Sequence, residues 1–172
     1  MEAAAWLALA YRSALPTSEM LRVALEGGPD PDAFPPDVLE REARDVAALD
    51  DLGVRLVPIG SPEYPLRLRA AGPVVLQVAG RVSLLSEPGV TVATKFRGEP
   101  GRMLVETLES GGNAVLVLSK GMLKATSLLR GMQHYLDNGA IAVVSAEPPR
   151  AAWGPVRDAR RDVLAARLAD PD

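Results

Sequence analysis

The chain has no cysteine among its 172 residues. That excludes disulfides, thiolate metal ligands and a cysteine nucleophile. Its one histidine, His134, has no second residue at metal-ligand spacing, so a zinc-type site is not expected. No stretch approaches the roughly 18 uninterrupted apolar residues of a membrane span. The first residues, Met1-Glu2-Ala3-Ala4-Ala5-Trp6, carry an acid where a secretory signal is basic. A cytoplasmic protein without membrane contact is the expectation. Aromatic residues make up only 4%, which limits base stacking as a source of affinity. There is no Ser/His/Asp set, metal cluster, Walker loop or full glycine-rich nucleotide fingerprint. No cofactor, no metal and no catalysis are therefore expected.

What is present is a large apolar fraction, 48%, enough to bury a core. The net charge of −3 conceals a split. Residues 1–53 carry 11 acids and 4 bases, a balance of −7, whereas residues 54–172 carry 15 bases and 11 acids, a balance of +4. Such asymmetry marks an anion-binding half or ordinary surface variation. The three lysines are Lys95, Lys120 and Lys124, against sixteen arginines.

Apolar spacing predicts helices over 3–14, from about 17 to 26, and over 36–52, the last begun by Pro36 and stopped by Gly53. Residues 1–52 thus read as a helical domain. From residue 53 the pattern changes. Strands are expected at 54–57, 74–78, 90–93, 114–118 and 141–144, with short helical turns near 66–68 and 81–86. Longer helices are expected over 100–110, 122–137 and 155–168. Ala114-Val115-Leu116-Val117-Leu118 and Ile141-Ala142-Val143-Val144 are apolar throughout, as strands buried on both faces are. Strands alternating with helices imply right-handed parallel crossovers. The fold class is α/β: a Rossmann-like parallel sheet flanked by helices over 53–172, preceded by the helical unit.

In such sheets ligands gather beyond the carboxyl ends of the strands. Thr94, Lys95, Arg97, Ser119, Lys120 and Gly121 belong to that rim. Lys95, Arg97 and Arg102 flank a Gly98–Gly101 loop before a helix, which suits a phosphate or is an ordinary solvated loop. Ser119-Lys120-Gly121 opens the next helix in the same topological position, with Lys124 one turn on. Arg157, Arg160 and Arg161 form a basic helix face that contacts a nucleic-acid backbone or is merely solvated. Glu106, Glu109 and His134 read as surface residues, and Tyr64 as a core ring after a turn.

Two segments resemble the DprA/Smf DNA-processing family. One is Ser61-Pro62-Glu63-Tyr64-Pro65-Leu66-Arg67-Leu68 followed by Pro73-Val74-Val75-Leu76-Gln77-Val78-Ala79-Gly80. It matches the family's Pro-x-Tyr-Pro turn, its Pro-x-x-Leu strand and the glycine after it. The other is Leu108-Glu109-Ser110-Gly111-Gly112 with Gly139-Ala140-Ile141-Ala142-Val143-Val144-Ser145. Where the family has Gly-Ser-Arg this chain has Ala93-Thr94-Lys95, and no Gly-Ile-Asp-x-x-Ala-His segment follows, so a central βα unit is expected to be missing. The resemblance implies a non-catalytic DNA-processing protein that binds single-stranded DNA or a nucleotide phosphate, acts in DNA uptake or recombination, and works with a recombinase-type partner or as a homodimer. Two other readings stand beside it: a degenerate scaffold without DNA binding, and a nucleotide-processing enzyme. The latter lacks the Pro-Gly-Gly-x-Gly-Thr loop of nucleoside-monophosphate hydrolases.

Overall fold

Two five-residue segments set the centre of the sheet. Ala114–Leu118 and Ile141–Ser145 are buried at every position, and only a central strand covered on both faces has room for such runs. The structure, a computed structural model, describes residues 1–70 and 72–169. Its helices are α1 (Glu2–Arg12), α2 (Thr17–Leu25), α3 (Pro36–Asp51), α4 (Gly98–Glu109), α5 (Thr126–Gly131), α6 (Gln133–Asp137) and α7 (Pro155–Ala169). Its strands are β1 (Val54–Pro58), β2 (Val75–Gly80), β3 (Thr91–Ala93), β4 (Ala114–Leu118) and β5 (Ile141–Ser145). The sheet order is β1-β2-β5-β4-β3.

The α/β class and the flanking helices are as expected, but the sheet is mixed. β3, β4 and β5 run parallel, with Val92 opposite Val115 and Val115 opposite Ala142. β2 lies antiparallel to β5, pairing Gln77 with Ser145, and β1 antiparallel to β2. Residue patterning reports burial and not strand direction, which is why β1 and β2 read as parallel. Gly80 ends β2 with φ of +90°, and a Cβ there would lie 2.3 Å from the Ile141 carbonyl oxygen, so only glycine allows the close pass.

The expected single helix over 122–137 is instead a 3₁₀ turn, Met122–Lys124, followed by α5 and α6. The first amides of this stretch are drawn away: Met122 N–H donates to Gln77 Oε1 at 3.3 Å and Leu123 N–H to the Pro149 carbonyl at 2.9 Å. That fixes a tight turn, and Gly131 weakens helix continuity further on.

Alternation along the strands divides the core into two layers. Val115, Val117, Ala142 and Val144 pack with Trp6, Leu9, Tyr64 and Leu164 on one face. Leu116, Leu118, Ile141 and Val143 pack with Leu104, Leu129 and Met132 on the other. Trp6 and Leu9 of the N-terminal helical unit thus share a core with the sheet, and Leu49 of α3 reaches the opposite layer. Tyr64 is 2% exposed, and its hydroxyl donates to the Pro73 carbonyl at 2.6 Å. The ring fills the core while the polar tip is satisfied. Among the described residues no helix is long and apolar enough to cross a membrane.

Candidate nucleic-acid interface

β3 and β4 are sheet neighbours with Ala93 level with Leu116. Their carboxyl ends therefore open onto one edge, and the two lysine-bearing loops meet there. The contact that joins them is Phe96. Its ring centroid lies 5.7 Å from Arg97 Cζ and 5.7 Å from Lys120 Nζ, within cation–π range of both. Phe96 is half-buried, one side resting on the core layer of Leu116 and Leu118. Thr94 is half-buried beside it, and Lys95, Arg97 and Lys124 are exposed.

The pairing of charges separates this rim from the rest of the surface. Among the described residues Lys95, Arg97, Lys120 and Lys124 form no ion pair, whereas most of the other basic side chains do. Arg102 is not part of the free set: it is ion-paired with Glu99 one turn before it on α4. The Arg157, Arg160 and Arg161 face is also engaged. Glu147, 4% exposed, accepts from Arg160 Nη2 at 2.5 Å, and Arg157 Nε approaches it at 3.4 Å without forming a hydrogen bond. Arg161 pairs with Asp158 at 3.0 Å and Asp162 at 3.1 Å.

The Ser119-Lys120-Gly121 turn differs from a phosphate-cradling loop. Gly121 N–H donates to the Ala151 carbonyl at 2.9 Å, and the amides of Met122 and Leu123 are engaged as described above. Ser119 is buried, its hydroxyl accepting from Arg161 at 3.4 Å. The amides of residues 121–123 are therefore taken, and the group this turn presents to an anion is the Lys120 side chain. What the internal bonds achieve is rigidity. Ser145 Oγ donates to the Lys120 carbonyl at 2.7 Å. A Cβ on Gly121 would lie 2.1 Å from the Pro148 carbonyl oxygen and 2.2 Å from that of Pro149, so the turn lies directly against the 148–151 segment.

Gln77 is the hub of this anchoring and is fully buried. Its amide NH₂ donates to the Glu147 carbonyl at 2.5 Å and to Tyr11 Oη at 3.4 Å, while its Oε1 accepts from Met122. Tyr11 in turn donates to the Ala146 carbonyl at 2.8 Å. Burial pushes the Tyr11 phenol well above its ordinary range, and Glu147 and Glu42 push the same way against the Gln77 hydrogen bond. The phenol is thus held neutral as a donor. Sequence reasoning placed Thr94, Lys95, Arg97, Ser119, Lys120 and Gly121 on one rim, with Arg102 and Lys124 beside it, but passed over Phe96 and Gln77. An aromatic between two cations in Lys95-Phe96-Arg97 was the available signal for the first. A lone polar residue inside the apolar run Val74–Ala79 was the signal for the second.

No family model matches the chain, and no curated protein matches it. Among solved structures it is similar to DNA processing protein A (DprA) from Streptococcus pneumoniae, with 20% identity and a TM-score of 0.49. The similarity covers 90% of this chain and 64% of that one, so the chain spans less than two thirds of the length of the structure it matches.

Proposed function

We propose that this protein is a non-catalytic, DprA-like DNA-processing protein that binds single-stranded nucleic acid along the β3–β4 rim, in DNA uptake or recombination. The observation that carries the reading is the Phe96 ring set between Arg97 and Lys120, beside the unpaired Lys95 and Lys124. Single-strand binders combine cations that follow the phosphates with an aromatic face on which a base stacks. A duplex hides its base faces, so this pairing of groups favours single strands. The affinity is mostly electrostatic and modest, since one chain supplies four free cations and one ring; a homodimer would extend the surface. The sequence resemblance of residues 61–80 to the DprA/Smf family agrees with this reading and extends it to a recombinase-type partner.

The test is a fluorescence-anisotropy titration of the full chain with a labelled single-stranded oligonucleotide and its duplex over a series of salt concentrations. Binding to the single strand should be tighter than to the duplex, and log affinity should fall linearly with log salt. No binding to either at low salt would refute the proposal and favour a scaffold role.

A further inference from the structure

Trp153 is 63% exposed, and the proposed function leaves it unused. A single exposed apolar residue is ordinary, but two features set this one apart. The first is that the ring is held. Its Nε1 donates to both carboxylate oxygens of Asp158 at 2.8 Å, so its polar edge is satisfied and its orientation fixed. The carboxylates of this corner, Glu147, Asp158 and Asp162, are matched by Arg157, Arg160 and Arg161. The surplus charge beside the ring is therefore that of the nearby lysines.

The second feature is its place. Trp153 is tied to the Ser119-Lys120-Gly121 turn in two ways. Along the backbone, the Ala151 carbonyl accepts from Gly121 N–H and the Pro149 carbonyl from Leu123 N–H, each at 2.9 Å. Ala151 lies two residues, at most about 7 Å, before Trp153. Through side chains, Arg161 pairs with Asp158 at 3.0 Å and donates to the Ser119 hydroxyl at 3.4 Å. Lys120 is thus the common neighbour. Its Nζ is 5.7 Å from the centre of the Phe96 ring, and the residues on either side of it make the contacts that lead to Trp153. Lys124 follows Leu123 and is exposed.

We propose that Trp153 is a second base-stacking platform, so that one single strand runs from Phe96 past Lys120 to the indole. This rests on the reading of the rim as a single-strand binder and adds a second ring to it. The surroundings select a base as the occupant. A fixed ring with free ammonium groups alongside suits a stacked base whose phosphates meet the lysines, whereas the core of a protein–protein interface is poor in lysine.

The experiment follows tryptophan emission and binding affinity as the full chain is titrated with oligothymidylate and with an abasic strand of the same length. Trp6, the other tryptophan, is 8% exposed and packs in the core, so a change in emission reports Trp153. Oligothymidylate should quench the emission, and the abasic strand should bind more weakly and leave it unchanged. Trp153→Ala should weaken oligothymidylate binding about tenfold while leaving the abasic affinity and the salt slope as they are. Trp153→Phe should keep most of the affinity and lose the quenching. Both variants should keep the fold by circular dichroism, since the side chain is exposed. Unquenched emission with bound oligothymidylate, or an equal loss for both strands in Trp153→Ala, would overturn the proposal and leave the rim's own binding standing. If neither strand binds the parent protein, the reading of the rim fails and this proposal with it. A concentration-dependent dimer that Trp153→Ala dissociates would also overturn it, since a second copy would then cover the ring.

Discussion

Replacing Gln77 with leucine keeps the side-chain volume and removes three polar contacts at once. Gln77 is fully buried, so no water replaces what is lost. The Met122 amide, 3.3 Å from Gln77 Oε1, loses its acceptor, and the Glu147 carbonyl, 2.5 Å from the Gln77 NH₂, loses a donor. Each buried group left unpaired costs about 1–3 kcal/mol. The 3.4 Å contact to Tyr11 adds little, since the Tyr11 hydroxyl still donates to Ala146. The added apolar surface of leucine offsets part of the loss. The net destabilisation expected for Gln77→Leu is about 2–4 kcal/mol. In a domain of this size that lowers Tm by roughly 4–16 °C. Urea denaturation at two wavelengths measures the first quantity, and amide hydrogen exchange locates the effect. Exchange at Met122 should accelerate well beyond the global change, because its acceptor is a side chain and not a helix carbonyl. Gln77→Glu should rescue Met122 protection, since it retains the acceptor oxygen, while still losing the donor to Glu147. A Gln77→Leu loss under about 0.5 kcal/mol, or uniform exchange across the domain, would refute the hub argument.

Three further outcomes follow from the same geometry. Gly121→Ala should destabilise the fold by about 2 kcal/mol or more, measured by thermal melting, because its Cβ would meet two carbonyl oxygens at 2.1 and 2.2 Å; a melting point within a degree of the parent's would contradict this. Phe96→Ala should weaken single-strand binding by about 1–3 kcal/mol yet leave the salt slope unchanged, since it removes a stacking face and no charge; a changed slope would show that the ring acts only by placing its cations. Burial raises the phenols of Tyr11 and Tyr64 above their ordinary value. The unfolded chain therefore releases these protons near pH 10 while the folded chain holds them, so the associated stability is complete below about pH 10 and is lost as the pH rises above it. Phenolate absorbance and urea midpoints between pH 9 and 11.5 check this, and ionisation of both groups near pH 10 in the folded protein would contradict it.

Much of the fold was legible because burial writes itself into residue pattern. The all-apolar β4 and β5, the Pro36 start of α3 and the Tyr64 turn were each readable from local sequence. Strand direction was not, because β2 carries the same apolar pattern whether it runs with β5 or against it; only the pairing of Gln77 with Ser145 decides. The break between 122 and 137 was hidden for a related reason. The 3₁₀ turn that opens it is anchored by hydrogen bonds from Met122 to Gln77, 45 residues away, and from Leu123 to Pro149. Charge neutralisation was equally non-local at one place and local at another. Arg160 is held by Glu147 from the β5 end, which no helical spacing predicts, whereas the Glu99–Arg102 pair at i,i+3 could have been read directly.

The convergence of the two lysine loops on one anion-binding edge is tested most directly by charge reversal at Lys95 and Lys120 together. Both side chains are free of ion pairs among the described residues, so the doubly substituted protein should fold with an unchanged circular dichroism spectrum. Its affinity for a single-stranded oligonucleotide should fall tenfold or more, about 1.4 kcal/mol. Loss of about two phosphate contacts should also make the slope of log affinity against log salt shallower by roughly 1.4. An unchanged affinity and an unchanged slope in a folded Lys95→Glu, Lys120→Glu protein would contradict the account.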